Sequence, residues 1–395
     1  MLLTIITFIL VLSFLVFVHE IGHFFVAKKF KVKVEEFGLG FPPRVFGLQV
    51  WKEPEFSAKK WRLIKGSKDI TEADQKFGTV YSLNWLPLGG FVKIKGQNGE
   101  GQEDKESFIS RPIWQRFLIL SAGVTMNIVM AMIIIIIGFM IGLPQALEDV
   151  GQQALITDRK IQIVQVLKDS PAAKAELKIG DVIMSINNQQ FDNYNSLQKY
   201  VADRPGEKLN YTLKRGKAEI TSLIIPEIRK ETNQAGVGIA IVETGTVKYP
   251  WYLAIWHGIK TTFILMWMII VAFYELIKGL IFGHGLSVEL AGPVGVATLT
   301  GEVARMGFVY LMQFVALLSI NLAIINFLPF PALDGGRVLF LIIEKFKGSP
   351  IKRELENVIH NIGFAFLMLL VFVITYKDIA KFSDKFKIIW EKLIN

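Results

Sequence analysis

Residues 2–18 carry no ionisable side chain, and after an interruption at 19–23 the apolar character resumes over 24–27. A run of this kind constrains the chain more than any other feature it has. About 20 apolar residues in a helix cross the ~30 Å hydrocarbon layer of a bilayer, and only helices and closed barrels satisfy their backbone polar groups there. A cleaved secretory signal would carry its basic residues before the apolar run. Here Lys28, Lys29, Lys31 and Lys33 follow it, which predicts a retained helix whose C-terminal end is cytoplasmic.

Three more stretches have the same character. The second span runs over 117–142, after Arg111 and Arg116; the third runs from about 308 to 328; the fourth, 362–376, is short and borrows 357–359. A further apolar stretch, 261–274, lies between Lys260 and Glu275, and its 14 residues are too few to span. It reads as an interfacial or groove-lining helix on the outer side. The expected fold is therefore a polytopic α-helical membrane protein with about four transmembrane helices. Its domains would be a first transmembrane helix (1–27), a cytoplasmic region with strand-like pieces (28–116), a second helix (117–142) and an outer mixed α/β domain (145–245). An interfacial helix and connector (250–305), a third helix with a broken end (306–336), a cytoplasmic connector (337–360), a fourth helix (361–376) and a basic tail (377–395) would follow.

Composition narrows the chemistry. Hydrophobic residues make up 52% of the 395 and charged residues 20%, which excludes a disordered or purely cytosolic protein. With no cysteine, disulfides, iron–sulfur clusters and thiol nucleophiles are excluded, and any metal takes nitrogen and oxygen ligands. The net charge of +9 reads as membrane-flanking Lys and Arg rather than as a nucleic-acid surface.

The interruption in the first span is His19-Glu20-Ile21-Gly22-His23. Two histidines four apart share one helix face, neutral imidazoles suit Zn²⁺, and an adjacent glutamate is placed to act as general base. Ionisable groups buried in lipid are costly unless partnered, so three in metal-ligand order are read as a site. A third protein ligand is required, and Glu35, Glu36, His257, His284 and Asp334 are the candidates. Asp334 has the right topology, because it ends the third span on the side where the first span places the histidines. It closes Asn326-Phe327-Leu328-Pro329-Phe330-Pro331-Ala332-Leu333-Asp334-Gly335-Gly336, where two prolines break the helix and the glycines allow a turn.

These residues, with Glu36-Phe37-Gly38-Leu39-Gly40-Phe41 and Leu86-Pro87-Leu88-Gly89-Gly90-Phe91-Val92-Lys93, resemble the site-2 protease family of intramembrane zinc metalloproteases, bacterial RseP-type branch. The resemblance covers nearly the whole chain. It implies one Zn²⁺ held by His19, His23 and Asp334, with Glu20 as the base. It also implies a substrate-contacting role for Asn326, with Pro329 and Pro331 beside it, and a membrane-associated β-loop in which Leu88, Gly89 and Gly90 pair with an unwound substrate. Asn127 of the second span matches a family asparagine and reads either as substrate-binding or as an interhelical hydrogen bond, while Val124 stands where the family usually has proline. Residues 170–187 resemble a PDZ domain of the circularly permuted bacterial type, with strands at 182–186 and 209–213, a helix at 193–202 and a closing segment at 236–239.

The expected activity is hydrolysis of a peptide bond within or near the transmembrane segment of a pre-trimmed single-span protein, an anti-sigma factor or a remnant signal peptide. A cytoplasmic fragment would be released. The expected setting is the bacterial cytoplasmic (inner) membrane, as a monomer, with the PDZ domain outside, where it captures peptide ends or filters by size; no nucleic-acid partner is expected. A silent membrane scaffold and an ion transporter are the rival readings. The intact His19, Glu20, His23 and Asp334 set counts against the first, and the absence of a repeated half counts against the second.

Overall fold

The computed structural model describes residues 2–52, 59–66, 78–97, 103–148, 150–151, 153–167, 169–216, 218–228, 234–282 and 291–394. The chain divides into two units, Met1–Ile135 with Ile259–Asn395, and Ile136–Gly258.

The first unit is built on α1 (Leu2–Lys29) and α2 (Ile113–Ile141). Both are apolar on every side, as helices facing lipid and neighbouring helices must be. The buried residues of α1 include Val11, Leu15, Val18, His19, Gly22 and His23, a single stripe at three- and four-residue spacing. Gly22 lies so close to α2 that a Cβ there would meet the Ala122 carbonyl oxygen at 2.3 Å. Small residues at such a crossing let two backbones approach within a membrane. α7 (Phe308–Phe327) completes this core, with Val315 packed on Val11 and Leu15, and Ile134 of α2 closing the cluster. The helix α2 passes through Val124 without a break.

Between α1 and α2 lies a sheet of β1 (Val34–Lys52), β2 (Lys59–Lys65) and β3 (Val80–Ile94) in the order β2-β1-β3. The first part of β1 sits between two arms of β3: Phe37 is opposite both Tyr81 and Val92, and Gly38 opposite both Ser82 and Phe91. The arm at 90–94 is thereby set against α1. Ser13 of α1 holds the bend leading into it, donating from Oγ to the Pro87 carbonyl at 2.6 Å and accepting from the Gly89 N–H at 3.2 Å. Gly89 takes a left-handed φ of 72° there, with the Val16 side chain against its Cα, so a larger residue is excluded on both counts.

Among the described residues, five helices are long and apolar enough to cross a membrane. Four correspond to the expected spans. The fifth, α5 (Trp251–Phe282), corrects the reading of 261–274 as a 14-residue interfacial helix: it is continuous for 32 residues. His257, Lys260, Glu275 and Lys278 are compatible with helix, so charge marked neither of its ends. The chain after α7 also differs from expectation. Asp334 does not sit on the frayed end of the third span but opens a new helix, α8 (Asp334–Lys347), where a connector was expected from 337. A further helix, α6 (Pro293–Met306), precedes α7, and the last helix, α9 (Arg353–Ile394), absorbs the fourth span together with the basic tail.

The second unit contains a six-stranded sheet, β4 (Leu143–Ala146), β9 (Ile239–Lys248), β5 (Leu155–Val166), β6 (Val182–Ile186), β7 (Leu209–Arg215) and β8 (Ala218–Ile224), in that spatial order. The short helix α3 (Pro171–Lys174) starts at Ser170, whose side chain accepts from the Ala173 N–H. Asn193 caps α4 (Tyr194–Ala202) in the same way. Ile163, Ile186, Leu209, Tyr211 and Leu213 form a core from alternate positions along the strands. These elements fall where the PDZ resemblance puts them. Asp181, just before β6, is fully buried and accepts from Arg215 Nε and Nη2, both at 2.7 Å.

Candidate active site

The α1 stripe brings His19 and His23 onto one face, and the loop 328–333 carries Asp334 to them. His19 Nε2 lies 3.0 Å from Asp334 Oδ2, His23 Nε2 lies 3.2 Å from the same oxygen, and the two Nε2 atoms are 3.2 Å apart. Ligands about 2.0–2.1 Å from a tetrahedral Zn²⁺ stand roughly 3.3 Å from one another, so the three atoms have the spacing of one face of such a site. This is the group of three metal-ligand side chains that converges among the described residues.

The remaining ring nitrogens show that the imidazoles are set for a metal. His23 Nδ1 lies 2.8 Å from the Ile119 carbonyl oxygen, to which it donates, leaving Nε2 unprotonated for an ion. His19 Nδ1 lies 3.3 Å from the Asn127 amide, and Asn127 Oδ1 is buried without a partner. The two amide atoms are interchangeable by rotation. With Oδ1 turned to the ring, Nδ1–H donates to it, the orphaned oxygen is satisfied, and Nε2 of His19 is freed as well. Hydrogen bonds of this kind orient metal-binding histidines and raise their basicity. Asn127 is fully buried, so of its two readings the structure supports the one within the helix bundle. Ser319 Oγ of α7 donates to the Asn127 carbonyl at 2.8 Å and ties the three helices together at this level.

Close approach of α2 to the imidazoles depends on Gly123. A Cβ at that position would stand 2.4 Å from His23 Nε2 and 2.6 Å from His19 Cε1. The loop that presents Asp334 is equally tight. Cβ atoms at Gly335 and Gly336 would meet the Leu328 oxygen at 2.2 Å and the Phe330 oxygen at 2.3 Å. The two glycines therefore let the first turn of α8 close against its own loop.

Glu20 sits beside this centre in a cleft of about 490 Å³, lined also by His23, Asp334, Arg337, Glu35 and the β3 segment from Phe91 to Ile94. The Val92 backbone N–H faces the Glu20 carboxylate. Of the other third-ligand candidates, Glu36 is buried against Arg44, which donates to it at 2.9 and 2.6 Å, and Glu35 pairs with Lys93 at 3.0 Å. His257 stacks on Tyr249 in the second unit, with ring centroids 4.1 Å apart, and His284 lies outside the described residues. Leu88, Gly89 and Gly90 lie on the bend that Ser13 holds against α1. Asn326 is half-buried in the last turn of α7, Pro329 is exposed, and Pro331 abuts Gly363 of α9. Sequence reasoning missed Ser13, Gly123 and the Ile119 carbonyl. A lone serine in an apolar run and a glycine inside a membrane helix were the available signals for the first two; a backbone acceptor leaves none.

The model of peptidase family M50 matches residues 7–67 and 58–370. The chain belongs to peptidase family M50. This is the site-2 protease family, and the chain is a zinc metalloprotease. It is similar to the regulator of sigma-W protease RasP of Bacillus subtilis, 29% identical over 96% of this chain and 98% of that protein. Zinc metalloprotease RasP of Geobacillus kaustophilus is also 29% identical, over 96% and 98%. Among solved structures, the PDZ domain of an SdrC-like protein from Listeria monocytogenes matches 22% of this chain and 92% of that one at 25% identity, with a TM-score of 0.20.

Within the M50 chain the residues divide the work clearly. His19, His23 and Asp334 would hold the zinc. Ile119, Asn127 and Gly123 hold the imidazoles, and Glu20 stands outside the cluster of three on the wall of the 490 Å³ cleft.

Proposed function

We propose that this protease cuts a peptide bond within or near the membrane span of a single-span protein, using one Zn²⁺, Glu20 and the β3 arm at 90–94. The observation that carries the reading is the shared cleft. The arm 90–94 pairs with β1 along one side, and its Phe91–Ile94 segment lines the same cavity as Glu20. A peptide bond inside a helix is shielded and already hydrogen-bonded, so a membrane substrate must be unwound first. Adding it to a strand edge replaces the hydrogen bonds it loses, and the edge at Val92 delivers it beside Glu20.

Zinc bound there supplies Lewis-acid activation of water and of the scissile carbonyl. Glu20 takes the proton from the attacking water and passes it to the leaving amine as the C–N bond breaks. The new carboxyl end and the new amine end then leave on separate fragments. Asn326, at the mouth of the loop, contacts the extended substrate.

The expected substrates are anti-sigma factors or remnant signal peptides already shortened outside a bacterial cytoplasmic membrane, with a cytoplasmic fragment released; the name of the Bacillus relative supports the first. In this reading the site lies towards the cytoplasm and the PDZ domain outside. The groove between α4 and residues 235–241, about 300 Å³, takes the peptide end left by the first cut. The test is cleavage of single-span reporter proteins of graded outer length by purified protein, with the cut located by mass spectrometry. The reading predicts a cut inside the span that requires a shortened outer end. Cuts confined to soluble flanking segments would overturn it.

A further inference from the structure

Asp334 reaches the histidines from a loop whose backbone is held in an unfavourable shape. Ala332, two residues before it, has a φ of 76°, the left-handed region that a residue with a Cβ seldom adopts. Such a conformation persists only where the surroundings impose it. Here the surroundings are α9, a helix that contributes no residue to the ligand set. His360 Nδ1 accepts the Ala332 N–H at 2.8 Å. One turn on, Gly363 lies flush with Pro331, where a Cβ would meet the Pro331 Cβ at 2.5 Å and its carbonyl oxygen at 2.7 Å. Another turn on, the Phe366 ring stands 5.8 Å from that of Phe330. Residues 360, 363 and 366 share a helix face and meet 332, 331 and 330 in turn, so α9 reads the loop backwards, one loop residue per helical turn.

We propose that His360 is a positioning residue for the zinc centre: by accepting the Ala332 N–H it fixes the left-handed turn that aims the Asp334 carboxylate at His19 and His23. It acts through the loop and touches neither metal nor substrate. Its chemistry suits the task. A backbone N–H can donate only to an unprotonated ring nitrogen, so Nδ1 is the acceptor and Nε2 carries the proton, 4.0 Å from Glu356 Oε1. The ring is held by Phe340, with centroids 5.4 Å apart. Without the acceptor, the Ala332 N–H loses its 2.8 Å hydrogen bond to α9, and the turn relaxes toward an ordinary conformation with Asp334 attached to it.

The inference rests on Asp334 being a zinc ligand, and the experiment separates the two. Full-length protein in detergent is loaded with zinc, and its release to a chelator and its cleavage of a single-span reporter are followed for three variants. His360→Phe keeps the ring and removes the acceptor; zinc release is expected to quicken about 10-fold or more, and kcat/KM to fall about 10- to 100-fold, the usual size of losses from groups that orient ligands. His360→Asn keeps an acceptor near the Nδ1 position and is expected to stay within about threefold of wild type. Adding Ala332→Gly to His360→Phe removes the strain the histidine holds and is expected to recover most of the loss. It also serves should His360→Phe alone not accumulate, since a folded double variant with wild-type-like zinc retention supports the proposal and one with rapid release refutes it. A His360→Phe protein that retains zinc and activity overturns the proposal, as does His360→Asn losing as much as His360→Phe, which would make the ring's packing the cause. Wild-type protein and Asp334→Asn releasing zinc at the same rate would instead defeat the ligand assignment.

Discussion

Replacing Gly123 with alanine places a methyl group 2.4 Å from His23 Nε2 and 2.7 Å from His19 Nε2, the two atoms that would bind the metal. An ordinary carbon contact begins near 3.4 Å, so the imidazoles must retreat by about 1 Å, or α2 must move away from α1 by as much; misplacements of that size cost on the order of 100-fold in rate. Metal–ligand distances tolerate only about 0.2 Å of error. Both escapes are costly, because retreat of the His23 ring breaks its hydrogen bond to the Ile119 carbonyl on α2, and separating the helices also opens the close Gly22–Ala122 packing. The expected outcome is a folded protein that has lost most of its zinc and at least about 100-fold of its kcat/KM, read by metal analysis of the purified protein and cleavage of a reporter. Gly138→Ala on the same helix is the control: its Cβ meets only the end of the Leu143 side chain, at 2.6 Å, which can swing aside. Gly123→Ala with full zinc and full activity would refute the reasoning, since the clash is with the two proposed ligands themselves.

Asn127→Leu should weaken zinc retention about 10- to 100-fold, measured by chelator competition, with no change in the KM of the protein reloaded with zinc. Ser13→Ala unpins the Pro87–Gly89 bend from α1; one lost pair of hydrogen bonds predicts a rise in KM of about threefold to 30-fold with zinc retention unchanged. In the second unit, burial pushes the Asp181 carboxyl up, but the two Arg215 hydrogen bonds, the Lys178 N–H and the nearby positive charge outweigh it and hold the group below the ordinary carboxylate range. A lowered folded value contributes stability above the unfolded value and loses it as the pH falls through the folded one. Resistance of residues 145–245 to limited proteolysis should therefore fall at acidic pH in the wild type, and Asp181→Asn should show the loss already at pH 7, by about 1–3 kcal/mol.

The membrane helices and the convergence of His19, His23 and Asp334 were legible because lipid imposes severe rules: charge is excluded for the length of a span, and where His19, Glu20 and His23 break that rule a function is implied. Asp334 was legible for the same reason, through the prolines and glycines that end a helix at that depth. The strands of the second unit showed in alternation at 182–186 and 209–213, and the helix at 193–202 was read beside them. What charge could not reveal was continuity. The ionisable residues at 257, 260, 275 and 278 look like the ends of a short helix but lie within α5, and the basic residues at 345, 347 and 352 look like a loop although the first two belong to α8. The groups that orient the site were hidden for a different reason. Gly123, Ser13 and His360 matter through what they touch, and those contacts join residues far apart in sequence, 74 for Ser13 and Pro87 and 28 for His360 and Ala332, or bind through backbone atoms that every sequence shares.

In the proposed mechanism Glu20 is a base and not a ligand, beside a zinc ion held by His19, His23 and Asp334. The most direct measurement is zinc content and reporter cleavage for the wild type, Glu20→Gln and Asp334→Asn, purified side by side in detergent. Glu20→Gln is expected to keep its zinc and lose cleavage, while Asp334→Asn is expected to lose both. Cleavage surviving in Glu20→Gln, or full zinc retained in Asp334→Asn, would contradict that mechanism.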